Sequence, residues 1–310
     1  MGDCVLSKKY CIIEPTLKMI TMRKLSIGFF LLSLFIFLGF KPSKPKAFQI
    51  FNEKGAKSSF KQIVKSASRA DIVLFGELHN NPICHWMQLE LSKNLIHAKG
   101  KKIAFGAEMF ETDNQAVIDS FLNGLIDEKT FEKNCRLWPN YHTDYKPLFQ
   151  LAKDSGLVFV ASNVPRKYAR LVYGKGLVGL DSLPDEEKQW IAPLPILYDS
   201  TLNCYADIFK MAGGHGGQNL PMAQAIKDAT MAYFIGKNSS ENQTFVHFNG
   251  TYHSNNFESI YWYLKKINPN WNIVTIASCE QEGVVRLDVQ NKGLANYILA
   301  VPESMTKTYN

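Results

Sequence analysis

Cysteine is scarce in this 310-residue chain. Six residues, none in a C-x-x-C pair, exclude a disulfide-dense scaffold, a zinc ribbon and thioredoxin-type chemistry. Charged residues make up only 20% against 46% hydrophobic ones, a balance that excludes a disordered chain and points to a packed core. Internal repeats and low-complexity blocks are missing. The glycine run Gly213-Gly-His-Gly-Gly217 lacks the Lys-Ser/Thr of a phosphate-binding loop and follows no clear strand. A G-x-S-x-G nucleophile elbow is also absent.

Positive charge is present but confined. Residues 1–46 hold eight basic and two acidic side chains, +6 of the formal +7, whereas 47–310 carry 27 basic and 26 acidic, a net of +1. A near-neutral body without a basic-aromatic stripe argues against nucleic acid as partner. Arg23-Lys24 precede an apolar run, Leu25 to Phe40, followed by Lys41-Pro42. The run falls short of the ~20 apolar residues that span a bilayer comfortably. It reads as a secretory signal peptide, with an uncleaved anchor as the alternative. Met22, directly before Arg23, is a second candidate start. No cysteine lies between the run and Cys84, so a lipobox is missing and lipoprotein anchoring is not expected. The expectation is a leader over 1–46 and an exported domain over 47–310, in the periplasm or at the membrane-associated cell envelope. There Cys84, Cys135, Cys204 and Cys279 are compatible with free thiols or with one or two disulfides.

Short apolar, β-branched runs at 71–76, 102–107, 157–162, 244–249 and 272–278 predict strands. Amphipathic stretches at 58–69, 82–98, 113–123, 144–154, 164–173, 219–236 and 253–266 predict helices. Near-continuous apolar strands alternating with helices imply an α/β fold: a single domain with a mainly parallel sheet and helices on both faces. The glycine- and proline-rich region 174–218 breaks this pattern and is expected to be a loop-rich or helical insertion, either a functional lid or an ordinary one.

Ligands of such sheets bind beyond the carboxyl ends of the strands. The residues found there are Glu77-Leu-His79-Asn80, Glu108-Met-Phe-Glu111, Asn163-Val-Pro-Arg166 and Gly250-Thr-Tyr-His253. Asn81 and Pro82 predict a capped helix start with His85 in its first turn. Carboxylates and imidazoles converging at one sheet edge hold a divalent metal or act as general acid and base. Glu77, His79, Glu108 and His253 are therefore the candidates for both roles. His247, inside a strand, reads as a hydrogen-bonded core histidine. Tyr168 follows the third strand, and Tyr205 and His215 lie in the loop-rich segment. Haem iron accepts imidazole and phenol ligands, so the inventory permits a haem site.

The set Gly76-Glu77-Leu-His79-Asn-Asn-Pro82-x-x-His85, Ala107-Glu108-Met-Phe, Asn163-Val-Pro-Arg166, Lys227-Asp-Ala-Thr-Met231-Ala232 and Gly250-x-x-His253 resembles the ChaN-like haem-binding uptake family of the Tiki superfamily. The resemblance implies an exported bacterial protein that binds haem and serves iron uptake with other envelope components, a binding protein without turnover. It further implies haem held between two subunits of a homodimer, with tyrosine ligation and histidine support. The motifs do not assign those ligands, so His85, Tyr168, Tyr205 and His215 stand as haem-binding candidates. Erythromycin-esterase-like relatives in the wider superfamily imply the alternative, a hydrolase using Glu77, His79, Glu108 and His253 with or without a divalent metal.

Overall fold

Seven stretches of extended backbone build one sheet in the computed structural model, which describes residues 45–211, 217 and 219–309. They are β1 (Gln49–Asn52), β2 (Ile72–Glu77), β3 (Ile103–Glu111), β4 (Phe159–Asn163), β5 (Thr244–Gly250), β6 (Ile273–Gln281) and β7 (Tyr297–Pro302). Their spatial order is β1-β7-β6-β2-β5-β3-β4. All neighbouring pairs run parallel except β1 with β7. The five expected strands form one continuous parallel block, β6-β2-β5-β3-β4, with β4 at the far edge. β1 and β7 close one edge and are not among the expected strands. β1 is four residues long, too short to show a hydrophobic period. The expected leader, with its apolar run 25–40, and His215 lie outside the described residues. Among the described residues no helix is long and apolar enough to cross a membrane.

Burial on both faces explains the unbroken apolar strands. Along β2, Val73 and Phe75 point into one core with Phe105 and Phe248, while Ile72 and Leu74 point into the other with Ala104 and Phe245. The first core is roofed by α1 (Phe60–Ala67), α2 (Pro82–Lys99), α3 (Gln115–Leu122), α4 (Glu128–Asn134) and α5 (Lys146–Asp154). The second lies under α6 (Arg166–Lys175), α9 (Asn219–Lys237) and α10 (Ile260–Ile267). Each fully buried phenylalanine contributes roughly 1.5–3 kcal/mol. The region 174–218 contains the short α7 (Asp185–Lys188) and α8 (Asn203–Met211), so the insertion is partly helical.

Local chemistry sets where the site-bearing helices start. Asn81 Oδ1 accepts from the Ile83 amide at 3.0 Å and Pro82 opens α2, as its sequence predicts. The helix expected over 253–266 begins only at Ile260. Asn256, Phe257 and Ser259 have φ values of 60°, 59° and 53°, and left-handed backbone at three non-glycine residues interrupts the helix. Two short 3-10 turns, Thr251–His253 and Asn255–Phe257, take its place.

Candidate functional site

Glu77 ends β2, Glu108 lies near the end of β3, and His253 follows β5, so the sheet order sets these groups on three adjacent strands. The register of β3 against β4 slips between Ala107 and Glu111. This irregularity re-aims the Glu108 carboxylate across β5. Glu108 Oε2 accepts the Gly250 amide at 2.7 Å. Gly250 is also where the two histidines' surroundings meet. A Cβ there would stand 2.8 Å from His79 Cε1 and Nε2 and 3.4 Å from Glu108 Oε2, so only glycine fits.

Around Glu77 lies a cluster that reaches the surface. Its Oε1 binds His79 Nδ1 at 2.9 Å and accepts from the Tyr145 hydroxyl at 2.5 Å, and its Oε2 accepts from Gln88 Nε2 at 2.5 Å. Burial pushes the Glu77 carboxyl up, but the His85 and His79 rings and the Tyr145 hydrogen bond outweigh it, so it stays below the usual range. The His79 side chain is about one-third exposed. Burial lowers its pKa, yet Glu77 and Glu108 raise it further, so the net direction is upward. Its ring meets Trp138 edge-on, with centroids 4.8 Å apart. His85 is buried, with Nε2 donating to the His79 carbonyl at 3.0 Å and Nδ1 lying 3.2 Å from Gln88 Oε1. The loop bearing His79 is strapped from behind by the C-terminal segment. The Thr308 amide donates to the Asn80 carbonyl at 2.9 Å and its hydroxyl to Asp144 Oδ2 at 2.6 Å.

The second cluster is buried, with only Glu108 at the wall of a cleft. His253 donates from Nδ1 to Asp228 Oδ1 at 2.5 Å and from Nε2 to Glu108 Oε1 at 3.1 Å. Burial alone lowers an imidazole, but Glu108 and Asp228 on either side push His253 up to about 10. Burial likewise raises the Glu108 carboxyl, and the His253 charge more than reverses that, leaving it ionised. Tyr205 closes the chain, donating to Asp228 Oδ2 at 2.9 Å, its own proton held by burial and by the Asp228 charge. With both nitrogens donating, His253 is an imidazolium without a free lone pair.

The four candidates Glu77, His79, Glu108 and His253 therefore meet, but as two ion-paired clusters rather than as a metal centre. The expected divalent site is corrected on this point: no group of three or more His, Cys, Asp or Glu among the described residues is arranged to hold a metal. The Glu77 and Glu108 oxygens and both His253 nitrogens are committed to hydrogen-bond partners, so of the lone pairs a metal would need only that of His79 Nε2 is left. Tyr168 and Tyr205 are buried at 1% exposure, Tyr168 donating to Glu187 Oε2 at 2.9 Å and Tyr205 to Asp228, and neither hydroxyl is offered to the cleft. His247 is the core histidine expected. Its Nδ1 lies 3.1 Å from Asn249 Oδ1 and its Nε2 2.7 Å from the Ser162 hydroxyl, and burial drops it to about 4. Cys84, Cys135, Cys204 and Cys279 are free thiols.

A cleft of about 370 Å³ opens over these strand ends, lined by Glu108, Trp138, Asn163, Arg166, Arg170, Tyr173, Gln224 and Lys227 among others. A second cavity of about 400 Å³ shares Glu111, Trp138 and Arg166 with it, so the two form one trough of ordinary ligand-site size. Arg166, Arg170 and Lys227 make no ion pair with any described residue, whereas Arg136 in the adjoining cavity is bound to Glu111 and Asp113. Tyr173 on α6 is 48% exposed, and its carbonyl accepts from Asn219 at the start of α9. Asn163 also lines the cleft, and its side-chain oxygen is buried without a hydrogen-bond partner. Arg166, Lys227 and Asp228 enter the sequence reading only as parts of motifs, without a role, and Tyr145, Arg170 and Tyr173 are not singled out by it. A lone aspartate among alanines in an otherwise apolar helix is the available signal for Asp228.

Comparison with known proteins follows the same lines. Residues 63–264 match the family model described as haem-binding uptake, Tiki superfamily, ChaN. The chain is 24% identical over 139 residues to Protein RETICULATA-RELATED 5, chloroplastic, of Arabidopsis thaliana, 43% of this chain and 19% of that one. It thus spans about a fifth of the length of this curated relative. A solved structure of cofacial haem binding to ChaN of Campylobacter jejuni superposes with a TM-score of 0.62 at 16% identity, covering 83% of this chain and 98% of that chain, which shows a shared fold. A mutant of the erythromycin esterase EreC in its open conformation reaches a TM-score of 0.43 at 11% identity over 76% of this chain and 77% of its own, too little to bear on chemistry. With a family match running through well over half its length, the chain belongs to the ChaN family of haem-binding uptake proteins in the Tiki superfamily.

Proposed function

We propose that this chain is an exported haem-binding protein serving iron uptake, with haem as cargo in the trough over the strand ends. The observation that carries the reading is one accessible phenol, Tyr173, sharing a cleft with three cations that lack acidic partners among the described residues. Haem needs an axial oxygen or nitrogen donor, apolar walls and positive charge for its two carboxylates. The residues present fit that demand. Tyr173 would hold the iron, Arg166, Arg170 and Lys227 the carboxylates, and Trp138, Val164, Ala169, Leu220 and Ala223 the ring faces. Bound haem supplies a ferric centre that is carried rather than turned over.

Export rests on the basic-apolar run 23–40. A homodimer clasping haem and contact with other envelope components belong to the same proposal, taken from the family. The hydrolytic alternative has less support, because His253 is held as an imidazolium between two carboxylates and leaves His79 as the one imidazole of the four candidates able to act as a base. Titration of haemin into the purified chain tests the reading. A shifted Soret band is expected in wild type, with at least about tenfold weaker binding in Tyr173→Phe, one step of about 1.4 kcal/mol. A spectrum equal to free haemin at stoichiometric loading would sink it. Size exclusion with and without haemin tests the dimer, and detection of the chain in an envelope fraction tests export.

A further inference from the structure

Tyr205, Asp228, His253 and Glu108 form an unbroken buried chain that ends on the wall of the haem cleft. Its charges are arranged unevenly. Had His253 faced Glu108 alone, the pair would be neutral. Asp228 lies on the opposite nitrogen; burial and the Glu108 charge raise its carboxyl, while His253 and the Tyr205 hydrogen bond favour its ionised form, and with both carboxylates ionised the trio carries one net negative charge. Glu108 is the member that lines the cleft, and both of its oxygens are committed, one to His253 and one to the Gly250 amide. Its position and its ionisation are therefore held together.

No other acid among the described residues reaches the cleft on the same terms. Glu111 is bound by Arg136, whose side chain is 55% exposed, so that charge is paired and water-screened. Glu77 is enclosed by His79, Tyr145 and Gln88. Arg166, Arg170 and Lys227 also line the cleft, and in the haem reading the ligand's two carboxylates pair with two of these three charges, leaving one cation that is the same for either iron state. Ferric and ferrous haem share one shape and differ by one positive charge. A fixed anion in a partly desolvated cleft separates two such ligands, because net charge and burial set the potential of a bound iron centre.

We propose that Glu108, held in place by the buried His253–Asp228 pair, makes this cleft select ferric over ferrous haem. The inference rests on the haem reading and adds to it the oxidation state of the cargo. Asp228 and His253 act through Glu108 as positioning residues.

Spectroelectrochemical titration of the haemin-loaded full chain at pH 8 tests it. Glu108→Gln keeps the shape and, through its amide oxygen, the Gly250 hydrogen bond; its NH2 meets His253 Nε2 only as a donor, so His253 gives up that proton and the negative charge leaves the cleft wall for Asp228 behind it. The variant's midpoint is expected to rise by roughly 59 mV, the one-electron equivalent of a tenfold loss of ferric preference. Asp228→Asn is expected to move the midpoint the same way by less. Glu90→Gln, on the outer face of α2, removes a carboxylate far from the cleft and should leave it unchanged. Metal-free protoporphyrin IX, which has no iron charge to sense, should bind wild type and Glu108→Gln alike; a structural role would weaken both ligands together. A His79→Gln background removes the His79 imidazole, which Glu108 also supports. The rise on Glu108→Gln should persist there, and its disappearance would assign the effect to His79 and overturn the proposal. An unmoved midpoint in folded Glu108→Gln, or a parallel loss of porphyrin binding, overturns it as well. If Glu108→Gln fails to fold, Asp228→Asn decides by the same criteria. Failure of wild type to load haemin removes the haem reading and this inference with it, whereas normal loading with an unmoved midpoint removes this inference alone.

Discussion

Two carboxylate–histidine clusters stand side by side over the same strand ends, yet they differ in access. Glu77 and His79 come from one strand end and its loop, and His79 keeps one nitrogen without a hydrogen bond to any described residue. Glu108 and His253 come from different strands, and a third element, α9, brings Asp228 to the remaining nitrogen. The same pair of residue types is thus left open in one place and locked in the other. What separates them is the number of elements that converge: the lock needs three, and its charges are worth keeping only because all are paired.

The largest effect is expected from breaking the lock. His253→Ala leaves Glu108 and Asp228 buried and facing each other, and should cost about 3–5 kcal/mol in urea unfolding. His79→Ala at the one-third exposed site should cost far less. Equal losses would erase the distinction.

Gly250→Ala probes the wall the clusters share. The added methyl would lie 2.8 Å from the His79 ring, and overpacking of this kind costs about 1–3 kcal/mol. The His79 ring resonances should shift in NMR while those of His253 hold. A shift of both would show the clusters to be one unit.

Alkaline titration reads the locked imidazole. His253 holds its proton up to about 10 when folded, against the 6.5 of an ordinary imidazole. Between those values the folded chain binds more protons than the unfolded one, so stability falls as pH rises. The slope from this group is at most ~1.4 kcal/mol per pH unit. Its contribution is whole below pH 6.5 and gone above 10. Glu77, lowered when folded, acts on the other side, its contribution present above 4.5 and lost as pH falls. Denaturant midpoints between pH 6.5 and 10 should slope downward in wild type and flatten in His253→Gln.

The smallest effect is expected at Tyr168, which pairs with Glu187 away from the cleft. Tyr168→Phe should leave the haemin Soret band unchanged and move stability by about 1 kcal/mol, one hydrogen bond's worth. A lost Soret shift here, with Tyr173→Phe silent, would transfer the ligand role from one tyrosine of α6 to the other.

Much of this is legible in one dimension. The five strands of the parallel block announce themselves because burial on both faces demands unbroken apolar runs, and Asn81-Pro82 predicts the start of α2 because cap chemistry is local. Glu77, His79, Glu108 and His253 follow from the rule that ligands sit beyond strand ends. β1 and β7 do not, being an edge pair whose partners lie over 200 residues apart in the chain. The expected helix at 253–266 fails because residue types do not reveal left-handed backbone at Asn256, Phe257 and Ser259.

Sequence alone therefore determined the α/β class, the edge of the sheet that carries the chemistry, and the family. Those depend on periodicity and on short motifs, which are properties of neighbours in the chain. Only the tertiary structure decided which acid meets which histidine, that Asp228 turns His253 into a locked cation, and that Tyr173 rather than Tyr168 or Tyr205 faces the cleft. Each of those outcomes is set by the direction in which a side chain leaves a packed helix or strand, and by distances between residues far apart in sequence.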